Sequence, residues 1–255
     1  MTKLILLSND DGIWAGGLKA LYDGVKDLGD VWVVAPDTER SATGHAITLS
    51  TPIRVKEIDF HNKGITGYAC SGTPADCVKI AVDAILPRKP DILISGINHG
   101  ANLGVNVLYS GTVSAATEGM LLNVPSIAVS LATFKKADYS YAQKLSAIIA
   151  ENVIKNGLPG ETLLNVNIPP VPEDKIAGIK ITKHGRSTFK EHFDRRVDPR
   201  NRVYYWLSGT EAEIQEDSDR DGEVIKQNFV SVTPIHYNLT DESNFDKIGK
   251  WSLFN

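Results

Sequence analysis

Leu4-Ile5-Leu6-Leu7-Ser8-Asn9-Asp10-Asp11-Gly12 is the stretch whose reading decides the fold. A short, unbroken apolar run that ends in turn-forming residues reads as a strand buried on both faces, the habit of parallel sheets covered by helices. In open sheets of that kind ligands sit beyond the carboxyl ends of the strands, so Asn9–Gly12 has the address of a site as well as the chemistry of a turn. Asp10 and Asp11 repel each other unless a cation or a shared proton offsets their charge. Their neighbours offer only oxygen, which suits a hard ion such as magnesium or manganese better than zinc.

The pattern downstream repeats the alternation of strand and helix. Leu18, Leu21, Val25 and Leu28 recur at helical spacing before Gly29, and Val31–Ala35 reads as a second strand closed by Pro36-Asp37. The loop Glu39-Arg40-Ser41-Ala42-Thr43-Gly44-His45 follows, and residues 47 to 69 alternate in polarity as a hairpin or a pair of short strands would. Thr73, Pro74 and Asp76 carry the signature of a capped helix running to about Leu86. The strand Ile92–Ile94 leads into a glycine-rich polar loop, Ser95-Gly96-Ile97-Asn98-His99-Gly100-Ala101-Asn102-Leu103-Gly104. Tyr109-Ser110-Gly111-Thr112 then opens an alanine-rich helix, whose free amides and positive dipole end suit an anion. Val124–Leu131 and residues 139–156 complete the alternation, predicting a doubly wound, mostly parallel α/β sheet of Rossmann-like type.

Beyond Gly160 helices become scarce. Leu163–Ile168 and Ile176–Thr182 read as strands, and residues 188 to 208 as a long hairpin with charges at its tip and Tyr204-Tyr205-Trp206 on the returning strand. Exposed aromatics on an extended hairpin need covering, and a second subunit is the favoured cover. The tail from His236 carries Phe245, Ile248, Trp251, Leu253 and Phe254 and is expected to dock. The division expected is a catalytic core over residues 1–183, followed by the hairpin arm, a return strand and the tail over 184–255.

Composition excludes several classes. The 255 residues suffice for a large core, and 42% hydrophobic with 23% charged residues is the balance of a globular chain. With 27 basic and 31 acidic side chains, the formal charge of -4 leaves no electrostatic footprint for duplex nucleic acid. Cys70 and Cys77 read as buried thiols in a reducing compartment, and the apolar N-terminal run is too short for a membrane span, so the cytoplasm is the expected location. Asp217-Ser218-Asp219-Arg220-Asp221-Gly222 opens like a calcium loop, but Asn228 stands where a bidentate glutamate belongs; an acidic loop capping a short helix is the better reading. No Walker loop, nucleophile elbow, zincin motif or dinucleotide fingerprint is present.

The polar loops should therefore converge at one sheet edge: Asp10 and Asp11 supply charge, Ser41 and Asn98 neutral oxygens, and the Gly111-Thr112 amides an anion nest. A divalent ion facing an anion nest suits phosphate-ester hydrolysis. His99 acts on substrate or is structural with equal weight, and Asn102, Asn106 and Tyr109 are candidate ribose or base contacts.

Six motifs in this order, the strand before SNDDG, ERSATGHAIT, CSGTPADCV, SGINHGANLG, YSGTVSAATEG and SVTPIH, resemble the SurE family of stationary-phase survival proteins over residues 4 to about 236. The resemblance implies a Rossmann-like core and a C-terminal arm used in homodimer or homotetramer assembly. It implies a divalent-metal-dependent phosphatase acting on nucleoside 5'- and 3'-monophosphates and, in some members, short polyphosphate. The family's metal ligands fall on Asp10, Asp11, Ser41 and Asn98, with one ion per subunit, and Asn9, Gly44, Ser110, Gly111 and Thr112 fall on loops around the phosphate. His236 falls at a hinge before the tail, where a buried structural histidine would look the same. Catalysis would rest on Asp10, Asp11 and Asn98, by attack of water or, second, of Asp10 itself. A phosphoacceptor receiver domain also places an acidic pair after its first strand, but the comparable later strand end here, Ile94–Asn98, has no aspartate to phosphorylate. A nucleotide-binding protein without turnover is the remaining rival.

Overall fold

The computed structural model describes residues 2–62, 64–186, 189–211 and 216–254, with the backbone alone for Phe189, Lys190, Thr210, Glu211 and Phe254. Thr188, the start of the expected hairpin, and the side chain of Phe254 lie outside the described part. In chain order the elements are β1 (Leu4–Ser8), α1 (Gly16–Val25), β2 (Asp30–Pro36), β3 (Val55–Asp59), β4 (Thr66–Cys70), α2 (Pro74–Ile80), β5 (Ile92–His99) and α3 (Gly111–Leu121). There follow β6 (Ser126–Leu131), α4 (Ser140–Asn156), β7 (Leu163–Ile168), β8 (Gly178–Ile181), β9 (Phe189–Val197), β10 (Val203–Glu211), α5 (Asp221–Lys226) and β11 (Phe229–Ile235).

A nine-stranded sheet has the order β3-β4-β2-β1-β5-β6-β7-β11-β8. It is parallel except where β3 meets β4 and β11 meets β7. All five residues of β1 are buried, as the apolar run requires. Strand alternation sends Ile5 and Leu7 to one face, against Leu18, Leu21 and Val25 of α1 and Leu145 and Val153 of α4. Leu6 goes to the other, with Cys77 and Val78 of α2 and Ala115 of α3. Each such aliphatic side chain contributes about 1.5–3 kcal/mol on burial, so one face of helices alone would leave half of that gain unrealised. Cys70 and Cys77 are both buried free thiols in this second layer.

Several local expectations hold in detail. Thr73 caps α2 by accepting from the Asp76 amide at 3.1 Å while its own amide donates to Asp76 at 2.9 Å, with Pro74 at the first helical position. The helical run does reach Leu86, although its last part, Ala81–Ile85, widens into a π turn. Residues 47 to 54 form no strand, and only the later half of the expected hairpin region pairs, as β3 and β4.

Other segments differ from the expectation. Ser95–His99 is not a loop: β5 runs on to His99, pairing Asn98 with Ser130 after a register shift beyond Ser95. Gly96 makes this possible, because its φ of +134° and a notional Cβ only 2.3 Å from the Val129 carbonyl oxygen admit no side chain. The acidic loop does lead into a short helix, α5, and its Asp221 is fully buried as the helix's first residue. β11 returns from the arm region into the main sheet between β7 and β8, whereas β9 and β10 form a separate two-stranded ribbon. In the tail, Leu239, Phe245, Trp251 and Leu253 are exposed, while Tyr237 donates to Glu161 at 3.4 Å. His236 is exposed too, which overturns the buried structural alternative for it.

Candidate active site

The chain leaves β1 in one direction, toward β2 and β4, and later returns to its other side at β5. The crevice beyond the carboxyl ends of β1 and β5 is thus the topological switch point of the sheet, where open α/β folds bind ligands. Asp10 and Asp11 leave β1 there and Asn98 and His99 close β5. The two strand ends are stitched together by the His99 amide, which donates to Asp11 Oδ2 at 3.1 Å.

Asp10 is 5% exposed and lies over the start of α3. The Thr112 hydroxyl donates to its Oδ1, and the Gly111 and Thr112 amides lie close enough to favour the charged carboxylate. A Cβ on Gly111 would stand 2.6 Å from Asp10 Cβ, so the absence of a side chain at 111 is what lets the carboxylate reach the helix end. Burial pushes the Asp10 carboxyl up and these hydrogen bonds pull it back, with burial the stronger. Half-buried Asp11 is pushed up to about 6, first by burial and then by the charge of Asp10.

Ser41 arrives on a loop without regular structure that is pinned at many points. The Arg40 amide donates to the Asp10 carbonyl at 2.7 Å, the Gly44 amide to the Tyr109 carbonyl at 3.1 Å, and Thr48 Oγ1 to Asp76 at 2.6 Å. His45 meets the buried Glu118 at 2.9 Å, and Lys79 holds the other oxygen of that carboxylate. Ser41 itself donates to Glu39 Oε1 at 2.7 Å. Asn98 Nδ2 donates to the Gly100 carbonyl at 2.8 Å, which leaves its Oδ1 as an available acceptor.

A pocket of about 430 Å³ opens over these residues. Asp10, Asp11, Ser41 and Asn98, the expected cation ligands, all line it, as do His99, Asn102, Asn106 and Tyr109. Of the expected phosphate set only Ser110 lines it. The Thr112 hydroxyl is engaged with Asp10, the Gly44 amide with Tyr109, and Asn9 is fully buried with its amide nitrogen on the Gly12 carbonyl. The start of α3 therefore carries Asp10 against it in this structure. Ser110 caps α3 through its hydroxyl, accepting from the Val113 amide at 3.1 Å.

Asn102 is 7% exposed and works as an anchor. Its backbone and amide engage Asn165, Asn167 and Ser130, so its contribution to the pocket is confined to Oδ1. His99 Nε2 donates to the Lys135 carbonyl at 2.7 Å, a structural duty that leaves Nδ1 for any ligand.

Among the described residues no lysine or arginine lines the pocket, while Asp10, Asp11 and Glu39 do. Among the described residues no three of His, Cys, Asp and Glu converge on one point, so a cation here would complete its shell from Ser41, Asn98 and water. Two crowded carboxylates with raised pKa, neutral oxygens beside them and no basic counter-charge fit a hard divalent ion.

Glu39 and Phe134 are among the lining residues that the sequence reading did not single out. Glu39 stood in the quoted loop as a third carboxylate, and its adjacency to Ser41 was the available signal. Phe134, 78% exposed at the pocket rim, had none beyond its place after a strand. Asp221 lies outside the pocket but bears on it. Its carboxylate accepts from the Gly104, Gly185 and Gly222 amides, tying the loop that carries Asn106 and Tyr109 to the root of the arm.

Comparison with known proteins matches the family described as Survival protein SurE to residues 5–191. The 5'-nucleotidase SurE of Heliobacterium modesticaldum is 48% identical, over 97% of this chain and 91% of that one. That of Syntrophobacter fumaroxidans is 48% identical over 98% and 99%. The crystal structure of SurE protein from Aquifex aeolicus superposes with a TM-score of 0.84 at 38% identity, covering 96% of this chain and 98% of that one. A match of this length, joined to near-half identity along almost the whole chain, means that the chain belongs to the SurE family.

Proposed function

We propose that the chain is a 5'-nucleotidase that hydrolyses nucleoside 5'-monophosphates to nucleoside and phosphate, using one magnesium or manganese ion per subunit. The observation that carries the proposal is the Asp10–Asp11 pair at the switch point, under a pocket with no lysine or arginine among the described residues, in a chain so similar to proteins named 5'-nucleotidase SurE. An anionic substrate meets only negative charge there until a cation is held. Extension to 3'-monophosphates and short polyphosphate rests on the family resemblance alone.

Asp10, Asp11, Ser41 and Asn98 would hold the ion. When bound it supplies the positive charge that polarises a phosphoryl group and activates water. The chain's own part is positional. Thr112 and the start of α3 fix Asp10, and this engagement of its carboxylate favours water over Asp10 as the attacking group. The His99 amide fixes Asp11, and the pinned 37–54 loop brings Ser41 to the rim. Asn106, Tyr109 and Ser110 remain to orient the substrate.

The same charge supply limits the substrate. One ion can neutralise one terminal phosphoryl group, but among the described residues no lysine lines the pocket to hold a longer polyanion, so monophosphates should be preferred to triphosphates and pyrophosphate. The test is phosphate release from the four common ribonucleoside 5'-monophosphates, their triphosphates and pyrophosphate, with and without chelator. Activity indifferent to chelator, or a preference for triphosphates, would overturn the reading.

Self-association through the arm belongs to the same proposal. Phe193, Tyr205, Trp206 and Leu207 of the β9–β10 ribbon are more than half exposed, and a two-stranded ribbon has little stability alone.

A further inference from the structure

Phe134 is a large apolar side chain standing almost free in solvent at the rim of a pocket that is otherwise polar. It lies in the connection between β6 and α4, yet two contacts hold that connection against the end of β5. Gly100 packs beneath the ring: a Cβ at position 100 would stand 2.7 Å from Phe134 Cε1. The next residue, Lys135, accepts through its carbonyl from His99 Nε2 at 2.7 Å. The Gly100 amide in turn donates to the Leu131 carbonyl at 3.0 Å, and its carbonyl accepts from Asn98. The ring is thus seated on residues that also orient the expected cation ligand Asn98, with its other side uncovered.

The second aromatic at the rim is Tyr109, 58% exposed, which arrives at the head of α3. α3 packs on one face of the sheet and α4 on the other, so Tyr109 and Phe134 come to the pocket from connections that lead to opposite faces. The same pocket is lined by the carboxylates and amides that would deal with phosphate and ribose. Hydrogen bonding can read those parts of a nucleotide, but every base also has a flat π face, and an aromatic ring is the sequence-tolerant way to hold it. An exposed phenyl ring is costly to hydrate and offers no hydrogen bond, so a sugar phosphate gives it nothing to do.

We propose that Phe134 stacks on the nucleobase and is the residue that makes the site prefer nucleotides to other phosphate monoesters, with Tyr109 as the opposing wall. This rests on the nucleotidase reading above but names what that reading leaves open, the recognition of the base. Stacking without an edge contact also predicts modest discrimination among bases.

The test compares the native protein with Phe134→Ala, Phe134→Leu and Phe134→Trp. Calorimetric titration with adenosine, which carries the base but nothing to hydrolyse, reports stacking whether or not phosphate is turned over. Phe134→Ala should weaken adenosine binding about tenfold, Phe134→Leu should not restore it, and Phe134→Trp should. In steady-state assays KM for adenosine 5'-monophosphate should rise by a similar factor, while kcat/KM for ribose 5-phosphate should change less than twofold. Adenosine affinity within twofold of native in Phe134→Ala overturns the proposal, and so does an equal loss on both substrates. A Phe134→Ala variant that changes oligomeric state with adenosine affinity intact would assign the ring to a subunit contact instead. If the native protein releases no phosphate from any nucleotide, the nucleotidase reading fails while the adenosine titration still decides the role of Phe134.

Discussion

Replacing Asp11 by asparagine should stabilise the cation-free protein at neutral pH while removing turnover. The carboxyl of Asp11 moves from an ordinary 3.8 to about 6 in the fold, through burial and the neighbouring charge of Asp10. Because the folded value is the higher one, the group favours folding while protonated. That contribution is complete below about pH 4, is lost as pH rises toward 6, and is absent at pH 7.5. The full difference corresponds to about 3 kcal/mol, and the partial exposure of Asp11 reduces it to about 1–2 kcal/mol. For a chain of this size that is a rise in Tm of about 3–6 °C for Asp11→Asn over the native protein in chelator at pH 7.5. Asparagine keeps an oxygen for the His99 amide, so the exchange removes charge and little else. The assay is thermal unfolding by calorimetry in chelator at pH 7.5 and 4.5, then with magnesium or manganese added. The gap should shrink at pH 4.5, and the cation should raise the native Tm but barely move the variant, since a ligand stabilises only the state that binds it. A variant no more stable than native in chelator at pH 7.5, or one that gains as much from the cation, would show that the carboxylate pair is not held in tension for an ion.

Gly111→Ala should cost about 1–3 kcal/mol and lower kcat at least tenfold, because its methyl group would stand 2.6 Å from Asp10 Cβ; chemical denaturation and phosphate release measure the two effects. Asp221→Ala should cost about 2–4 kcal/mol, since the Gly104, Gly185 and Gly222 amides lose a buried acceptor. Burial pushes the Asp221 carboxyl up, but the hydrogen bonds from His184 and those amides outweigh it and hold the carboxyl below its ordinary range. Its contribution is therefore present above about pH 4 and lost as pH falls through the lowered value, so urea melts of native and variant should converge on acidification. Deleting residues 238–255 should weaken self-association in sedimentation at micromolar concentration, and an intact protein that sediments as a monomer would remove the basis for the arm's proposed role.

The sequence by itself determined the parts that depend on neighbours along the chain. Leu4–Leu7 could be read as a doubly buried strand because burial on both faces leaves an unbroken apolar run, and Thr73-Pro74-Asp76 as a helix start because a capping box closes within four residues. The same local logic put Asp10, Asp11, Ser41 and Asn98 near one another, since the first three follow strands and Asn98 stands at the end of β5, in a sheet whose strand ends converge. Tertiary structure decided what those groups touch. The Thr112 hydroxyl has no fixed partner in any isolated helix, and only packing β1 against α3 brings Asp10 onto it. Asp221 looked like part of a solvated acidic loop because nothing nearby in sequence marks the Gly104 amide, 117 residues away, as its partner. Phe134 carried no local signal at all: an aromatic in a polar connection is read as a stray surface residue until the fold sets it on Gly100 beside the carboxylates. Periodicity and capping are short-range and survive in one dimension, whereas the desolvation that raises the Asp11 carboxyl and the company each loop keeps exist only once distant strands lie side by side.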